Sequence, residues 1–204
     1  RAWRLITYLH GSALRFAEMT EAADRLVEHA RQAGDQRLAA RGAVGYAQAA
    51  LYGPTPVPEA IERSEQILAG ADEDRRTQAL VLSSLAELYA MDGDFERARD
   101  AYLRARSLFH QLGNKLLGSS VSISSYRVEL LAGDPATAAR ELRGDRDALE
   151  ALGEQQLRAS VAGTLGMVEA ELGELDAGDA HATEAERIAE ADDVDAQVRW
   201  RLAR

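Results

Sequence analysis

The sequence predicts an all-α protein built from repeated pairs of helices, and three observations lead to that prediction. Glycines recur at a forty-residue interval, apolar residues recur three and four positions apart between them, and helix-capping residues stand at the joints. The glycines of the interval are Gly53, Gly93, Gly133 and Gly173. A fixed period of this length is typical of proteins made of stacked structural repeats.

The region around Gly93 shows both helices of one pair. The residues before this glycine are spaced like one apolar helix face, and the residues after it repeat that spacing. The first face consists of Leu82, Leu85, Ala86 and Tyr89. The second consists of Phe95, Ala98, Tyr102, Ala105, Leu108 and Leu112.

The same pattern divides the whole chain into repeats. We expect a single domain over residues 1–204, with about five helix pairs of about forty residues and a truncated sixth. The repeats are predicted at approximately 1–34, 35–71, 72–113, 114–153, 154–191 and, in part, 192–204.

The joints between helices carry recognisable capping signals. Asp134 followed by Pro135 predicts an N-cap and a first helical residue. In the proline-rich turn after Gly53, Pro56 or Pro58 is expected to start the next helix. Negative charge favours helix N-termini, and glycine before a cap can adopt the left-handed conformation that closes a helix. The acidic starts expected are Asp72, Glu73 and Asp74, and later Asp192 and Asp193.

The stretch Asp92-Gly93-Asp94 raises the question of a metal-binding loop. An EF-hand calcium loop needs ligands at alternate positions, a glycine at its sixth position and a closing glutamate at its twelfth. Here the glycine directly follows the first aspartate, and Phe95 interrupts the series. We therefore interpret this stretch as a turn between helices.

Composition limits the possible partners. The formal net charge is -10, which has the wrong sign for a protein that binds nucleic acid directly. There are no cysteines, so disulfides and thiolate metal sites are excluded. No apolar stretch reaches the roughly 18 residues that cross a bilayer. We expect a soluble, cytoplasmic protein without a membrane partner.

The residues around Gly93 resemble a tetratricopeptide (TPR) repeat, with small residues such as Ala86, Ala98 and Ala105 where paired helices of that family cross. The fourth repeat departs from the pattern, with Tyr126 and Asp145 at positions expected to be small. The resemblance implies a right-handed superhelical α-solenoid. Longer stretches, including Leu51–Ile61 and Leu130–Arg143, resemble the repeat regions of large actinobacterial-type regulators that carry cyclase, STAND-ATPase or LuxR-type domains. That implies a sensory or protein-contact segment.

Residues that could carry chemistry do not form a convincing site. Residues 113–119 have their lysine in the wrong place for a phosphate loop. His181 and Glu184 lack a third metal ligand, and a solvated helix face is the preferred interpretation. The acidic group Glu169, Glu171, Glu174 and Asp176 is interpreted as exposed charge beside a turn, and the serines of residues 119–125 as small packing residues. We expect no enzyme activity, no metal and no cofactor.

The expected function is therefore a non-catalytic protein-interaction scaffold or sensor segment in a signalling or transcription regulator. Stacked helix pairs offer an extended groove lined by their first helices. Candidate contacts on that face are Arg4, Thr7, Ser83, Glu87, Ser120, Arg127 and Met167. The scarcity of lysine and asparagine excludes the carboxylate clamp of chaperone-binding TPR proteins, and the acidic charge favours a neutral or basic protein or peptide partner, or another domain of the parent protein.

Two alternatives remain at this point. A small-molecule inducer could bind inside the superhelix, with Tyr46, Tyr52 and Tyr126 as candidate pocket residues. Trp3 and Trp200 are expected to face further repeats or, less favoured, a second copy of the chain, since neither end carries an obvious polar cap.

Overall fold

The computed structural model describes residues 2–71 and 74–204, and these residues form twelve helices and no strand. The all-helical prediction is confirmed. The helices are α1 (Ala2–Ser12), α2 (Phe16–Gln32), α3 (Gln36–Tyr52), α4 (Val57–Ala69), α5 (Arg75–Asp92), α6 (Phe95–Gln111), α7 (Lys115–Gly118), α8 (Ser122–Leu131), α9 (Pro135–Ala151), α10 (Gln156–Glu171), α11 (Leu175–Ile188) and α12 (Val194–Ala203).

The chain divides into two compact units, and the boundary between Leu108 and Phe109 falls inside α6. We call the residues up to Leu108 unit 1 and the residues from Phe109 onward unit 2. That the two units act as one domain, and that the helix pairs continue as a solenoid, stay predictions.

Within unit 1 the helices pack in the order expected for stacked pairs. The first helix of each pair contacts the first helix of the next, as α1 does α3 and α3 does α5. Each second helix lies against both, since α2 contacts α1 and α3, and α4 contacts α3 and α5. Leu82, Leu85 and Leu88 of α5 are almost completely buried in the resulting core.

Unit 2 repeats this arrangement with α8, α10 and α12 as first helices and α9 and α11 as second helices. Its core includes Leu142, Leu149, Val161 and Leu165, all fully buried. Helices α10 and α11 cross where both have glycine: a Cβ on Gly166 would lie 2.8 Å from the carbonyl oxygen of Gly178. Such a close crossing leaves no space for a larger residue on either helix.

Most joints use one turn motif, in which a glycine with positive φ is followed by a polar residue that starts the next helix. At Gly93, φ is +87°, and the amide of Asp94 donates to the carbonyl of Tyr89 at 2.9 Å. The Asp94 carboxylate then accepts from the amide of Arg97 at 3.1 Å. Both hydrogen bonds satisfy backbone groups that a helix end leaves without an intrahelical partner. The prediction that Asp92-Gly93-Asp94 is a turn is confirmed.

The predicted caps at Asp74, Asp134 and Asp193 are found, and the start of α4 differs by one residue from the prediction. Asp134, Asp74 and Asp193 accept hydrogen bonds from the third amide after them, and Pro135 is the first residue of α9. Asp72 and Glu73 lie outside the described residues. Helix α4 begins at Val57, between the two prolines proposed to start it.

Gly53 differs from the other glycines of the forty-residue interval. Its φ is -93° and its ψ is -174°, so it is extended, and the left-handed conformation expected for glycines at these joints does not occur there. A Cβ at this position would lie 2.7 Å from the carbonyl oxygen of Ala49. This glycine is therefore required for close approach of the backbone rather than for its φ.

Leu112 was expected in the core, and that prediction is wrong. Helix α6 ends at Gln111, and Leu112 lies in the turn with 44% of its surface exposed. Phe109, four residues after Ala105 on the same helix face, is buried instead. No helix in the described part of the chain is long and apolar enough to cross a bilayer.

The first helix of the fourth pair is interrupted between α7 and α8. The backbone amide of Ser122 lies at this interruption and donates to the buried carboxylate of Asp145 at 2.9 Å. Asp145 therefore serves as a side-chain acceptor for a backbone group that the broken helix leaves without an intrahelical partner. This explains why an aspartate stands where the repeat pattern predicts a small residue.

Candidate functional site

The first-helix face of unit 1 carries two neighbouring clefts. The α1–α3 cleft, of about 410 Å³, has Arg4 and Arg41 on its rim and Met19 and Leu26 in its lining. The α3–α5 cleft, of about 450 Å³, has Arg37, Arg41 and Arg76 in its lining. Because Arg41 belongs to both clefts, the two form one continuous surface across three helices.

We call Arg4, Arg37, Arg41 and Arg76 the arginine face. All four are exposed, and within residues 2–71 and 74–204 none of them makes a hydrogen bond or an ion pair. Among its described residues, the lining of the two clefts holds one carboxylate, Asp74, which is engaged at the start of α5 by the amide and hydroxyl of Thr77 at 3.0 and 2.8 Å.

Nine arginines elsewhere in the described part of the chain form ion pairs. They are Arg25, Arg63, Arg97, Arg104, Arg143, Arg146, Arg158, Arg199 and Arg204. In a chain with ten more acidic than basic residues, four arginines left without a carboxylate on one surface form a local excess of positive charge.

The candidate contacts in unit 1 have different surroundings. Arg4 is exposed on the arginine face, whereas Thr7 and Glu87 are buried and not open to solvent. The hydroxyl of Thr7 donates to the carbonyl of Trp3, and that of Ser83 donates to the carbonyl of Ala79. Arg4 and Thr7 both line the α1–α3 cleft, and of the four candidates only Arg4 is exposed.

The first-helix face of unit 2 is held together by its own polar contacts. Arg199 of α12 donates to Asp195 at 2.7 Å and to the hydroxyl of Thr164 on α10 at 2.7 Å. Asp195 also accepts from Ser160 at 2.9 Å, and Arg199 hydrogen-bonds Tyr126 of α8. These bonds join three consecutive first helices.

These contacts shift the acidity of both partners. Burial acts to raise the pKa of Asp195, but hydrogen bonds from Arg199 and Ser160 and nearby positive charge outweigh it, so the pKa lies below its ordinary value. Burial acts to lower the pKa of Arg199, but the hydrogen bond and the charge of Asp195, together with the contacts to Tyr126, outweigh burial and raise this pKa. Both groups therefore favour their charged forms.

The candidate contacts in unit 2 lie beside this network. Arg127 contributes to the positive charge that lowers the pKa of Asp195 and lies 5.5 Å from the ring centre of Tyr126. Met167 is half-buried. Ser120 is half-buried and donates to the carbonyl of Leu117 at 3.2 Å.

A second polar group in unit 2 is centred on Glu169. This carboxylate has no exposed surface, and it accepts from Arg143 at 2.7 and 3.0 Å. The Nδ1 of His181 lies 2.6 Å from its other oxygen. The interpretation of Glu169 as an exposed charge beside a turn is therefore wrong, because α9 and α11 cover it from both sides.

The expected solvated face around His181 and Glu184 is also not found. The side chain of His181 is 22% exposed, and that of Glu184 is 13% exposed. Glu184 pairs with Arg146 at 3.0 Å and with Arg158 at 3.5 Å. Among the described residues, no group of histidine and acidic side chains is arranged to hold a metal ion.

The Glu169 group has a counterpart in unit 1. Tyr89 stands eighty residues earlier in the repeat, and its hydroxyl donates to Glu65 of α4 at 2.8 Å and accepts from Arg97 of α6 at 2.8 Å. Burial, followed by the contact with Glu65, raises the pKa of Tyr89 to about 12. In both units the residue at this repeat position, Tyr89 or Glu169, joins its first helix to the second helices before and after it. Its role is therefore structural.

The aromatic candidates do not converge on a pocket within either unit. Tyr46 is buried beneath Arg63, and Tyr52 is 52% exposed with its ring 5.4 Å from that of Phe16. Trp3 stacks on His29, and Trp200 lies 4.1 Å from Arg201. That these two tryptophans face further repeats stays a prediction.

Sequence reasoning found Arg4 but missed the rest of the arginine face. One signal was available: Arg37 and Arg41 lie one helical turn apart, with no Asp or Glu three or four positions away from either. Arg104 and Arg199 have such a carboxylate, and they are paired.

No protein-family model matches this chain, and no curated protein is significantly similar to it. The TPR resemblance therefore rests on the residues and on the helix pairs that they form.

Proposed function

We propose that this chain is a non-catalytic helical-repeat scaffold that binds a protein or peptide partner as part of a larger regulator. The observation that carries the proposal is the arginine face, four exposed guanidinium groups that have no partner among the described residues and that line two joined clefts. Packed helix pairs hold such a surface in place without a reactive group, which suits recognition.

The clefts combine this charge with apolar area. Ala40, Val44 and Leu80 line the α3–α5 cleft between the arginines, and all three are half-buried. Binding sites are commonly concave and mostly apolar, with a few charged groups that fix orientation. An ordinary solvated surface would expose arginines but would not have clefts with an apolar lining beside them.

The buried acid and histidine of unit 2 are proposed as structural groups. Glu169 is engaged by Arg143 and His181 and has no exposed surface for a substrate to reach. General acid-base work requires a group within reach of the reacting proton. The scaffold proposal is therefore preferred to an enzymatic one.

Selection of peptides from a displayed random library, with the protein immobilised, tests the scaffold proposal. We expect enriched peptides to bind the parent chain and to lose binding to Ala40→Tyr, which fills the α3–α5 cleft without changing charge. Ala136→Tyr, at an exposed position of α9, is the matched control and should bind normally. Failure to enrich any peptide, or equal binding to both variants, would contradict the proposal.

A small-molecule sensor is the second candidate, and the α1–α3 cleft favours it. Its volume of about 410 Å³ lies within the range of ligand sites, and Met19 and Leu26 give it an apolar lining beside Arg4 and Arg41. Thermal-shift screening against small organic acids tests this. A reproducible stabilisation that Arg41→Gln removes would support sensing.

Self-association is proposed from the apolar surface of the outermost helices. Leu5 and Leu9 of α1 and Val194 and Leu202 of α12 are each more than half exposed. Exposed apolar side chains on a helix face favour contact with another helix. Sedimentation at several concentrations should show a mass above that of the monomer, and a constant monomeric mass would contradict self-association.

A further inference from the structure

We propose that the arginine face binds an acidic, extended segment of the partner protein, with carboxylates that meet Arg4, Arg37, Arg41 and Arg76. This inference rests on the proposed scaffold function and adds the chemistry of the partner. It also reverses the expectation from net charge, because the formal charge of -10 belongs to the whole chain and not to this surface.

The geometry of the face fits a short extended segment. Arg4 lies on α1, Arg37 and Arg41 lie one turn apart on α3, and Arg76 lies in the first turn of α5. Packed helices are spaced about 8 to 10 Å apart, so two steps between helices cover roughly 18 Å. An extended chain rises roughly 3.3 Å per residue, so about six residues cross the face.

The chemistry of the face selects carboxylates. A guanidinium group binds a carboxylate through two parallel hydrogen bonds, which gives direction as well as charge. Asp74, the one carboxylate among the described lining residues, already accepts from Thr77. The arginines therefore have no competing partner among the described cleft residues, and a partner must supply the acids.

The apolar lining sets a second requirement on the segment. Alternate side chains of an extended peptide point to opposite sides, so every second residue can meet the clefts. Val44 and Leu80 share the α3–α5 cleft lining with Arg41 and Arg76, and Met19 and Leu26 share the α1–α3 cleft lining with Arg4. The preferred segment thus combines carboxylates with aliphatic residues, rather than being a uniform run of acids.

Nucleic acid fits this face less well. Phosphate binding needs a positive field over many contacts, and the chain as a whole is acidic. A short acidic segment carries few charges and meets mainly the local guanidinium groups, whereas a long polyanion experiences the charge of the whole surface.

The test uses the full 204-residue chain and a fluorescein-labelled peptide of alternating Glu and Leu, about eight residues long. Fluorescence anisotropy should show binding that weakens as salt increases. The double variant Arg37→Gln/Arg41→Gln should bind roughly tenfold more weakly, since it removes two charge-assisted contacts. Arg187→Gln, an exposed arginine of α11 with no partner among the described residues, is the matched control and should be unchanged.

Two further probes test whether binding needs the carboxylates and whether any polyanion binds equally well. The same peptide with Gln in place of Glu should bind at least tenfold more weakly, and equal binding would overturn the role of the carboxylates. A single-stranded oligonucleotide of equal charge should compete poorly. Equal or better competition would assign the face to polyanions in general and overturn the acidic-peptide proposal.

Failure of this inference is distinguishable from failure of the scaffold proposal. If library selection yields neutral or basic peptides whose binding is lost in Ala40→Tyr but unchanged in Arg37→Gln/Arg41→Gln, the scaffold proposal stands and the acidic partner is wrong. If no peptide is selected and the Glu-Leu peptide does not bind, both proposals are wrong. Circular dichroism of each variant confirms that the fold is intact.

Discussion

The first-helix faces of the two units have the same helix packing, but their arginines differ in whether they are paired with other side chains. In unit 1, Arg37 and Arg41 extend from α3 without a partner in the described part of the chain. In unit 2, Arg199 is 12% exposed at its side chain and is bonded to residues on α8, α10 and α12. One set of arginines is available to a ligand, and the other fastens neighbouring helices.

The two faces differ in how their arginines are paired and not in how their helices pack. Each first helix contacts the next in both units, so the helix contacts alone do not distinguish a binding surface. The distinction arises from where carboxylates stand: Asp195 lies one turn from Arg199, while no acid lies one turn from Arg41. The pairing of charges therefore distinguishes the two faces, whereas the helix contacts do not.

The largest expected effect tests whether the two units have equivalent cores. Leu85 and Leu165 stand eighty residues apart in the repeat, and both are fully buried. We expect Leu85→Ala and Leu165→Ala each to lower the free energy of unfolding by about 2 to 5 kcal/mol, because each leaves a cavity. Denaturant unfolding measures the loss.

Leu103→Ala, at a half-exposed position of α6, is the control and should cost far less. If only one of the two core variants were destabilised, the units would differ in their packing. The difference between their first-helix faces could then not be attributed to charge pairing alone.

The next prediction concerns the buried charge of unit 2. Glu169→Gln should lower the free energy of unfolding by about 1 to 3 kcal/mol, because a neutral amide loses the charge-assisted hydrogen bonds that the carboxylate accepts from Arg143. Glu171→Gln, two residues along the same helix and exposed, should change it by less than about 0.5 kcal/mol. Equal thermal midpoints for the two variants would contradict a structural role for Glu169.

Local features of the fold could be predicted from the sequence, since each depends on a few adjacent residues. The turn at Gly93-Asp94 and the start of α9 at Asp134-Pro135 are of this kind. The burial of Glu169 could not be read from its neighbours, because Arg143 and His181 come from other helices. Its position four residues after Leu165 on the apolar face was the one available indication.

The candidate site was less predictable than the fold for the same reason. The sequence pattern predicts Glu87 on the open face, but its exposed fraction is 5%, whereas Arg41, which the pattern does not single out, is exposed. Both lie on first helices with apolar neighbours. Which of two charged residues reaches solvent depends on the helices packed against them, and periodicity within one helix does not contain that information.

A direct comparison of the two faces comes from one substitution in each. Arg199→Gln should lower the free energy of unfolding by about 1 to 2 kcal/mol, since it removes charge-assisted bonds to Asp195 and Thr164. Arg41→Gln should change it by less than about 0.5 kcal/mol, because Arg41 is exposed and has no partner among the described residues. A loss of stability in Arg41→Gln comparable to that in Arg199→Gln would contradict the assignment of Arg41 to binding.

The smallest expected effect is the dependence of stability on acidic pH that arises from Asp195 in unit 2. The pKa of Asp195 is lower in the folded chain than its ordinary value of 3.8, so the unfolded state binds protons more readily. Its contribution to stability is therefore fully present well above pH 3.8 and is lost as the pH falls through and below that value. The side chain is 58% exposed, which screens the effect. Comparing acid unfolding of the parent chain with that of Asp195→Asn should reveal a stability difference that shrinks toward low pH, while Asp176→Asn, exposed at the start of α11, gives a difference near zero throughout. A difference for Asp195→Asn that stays constant with pH would mean that its charge does not fasten this face.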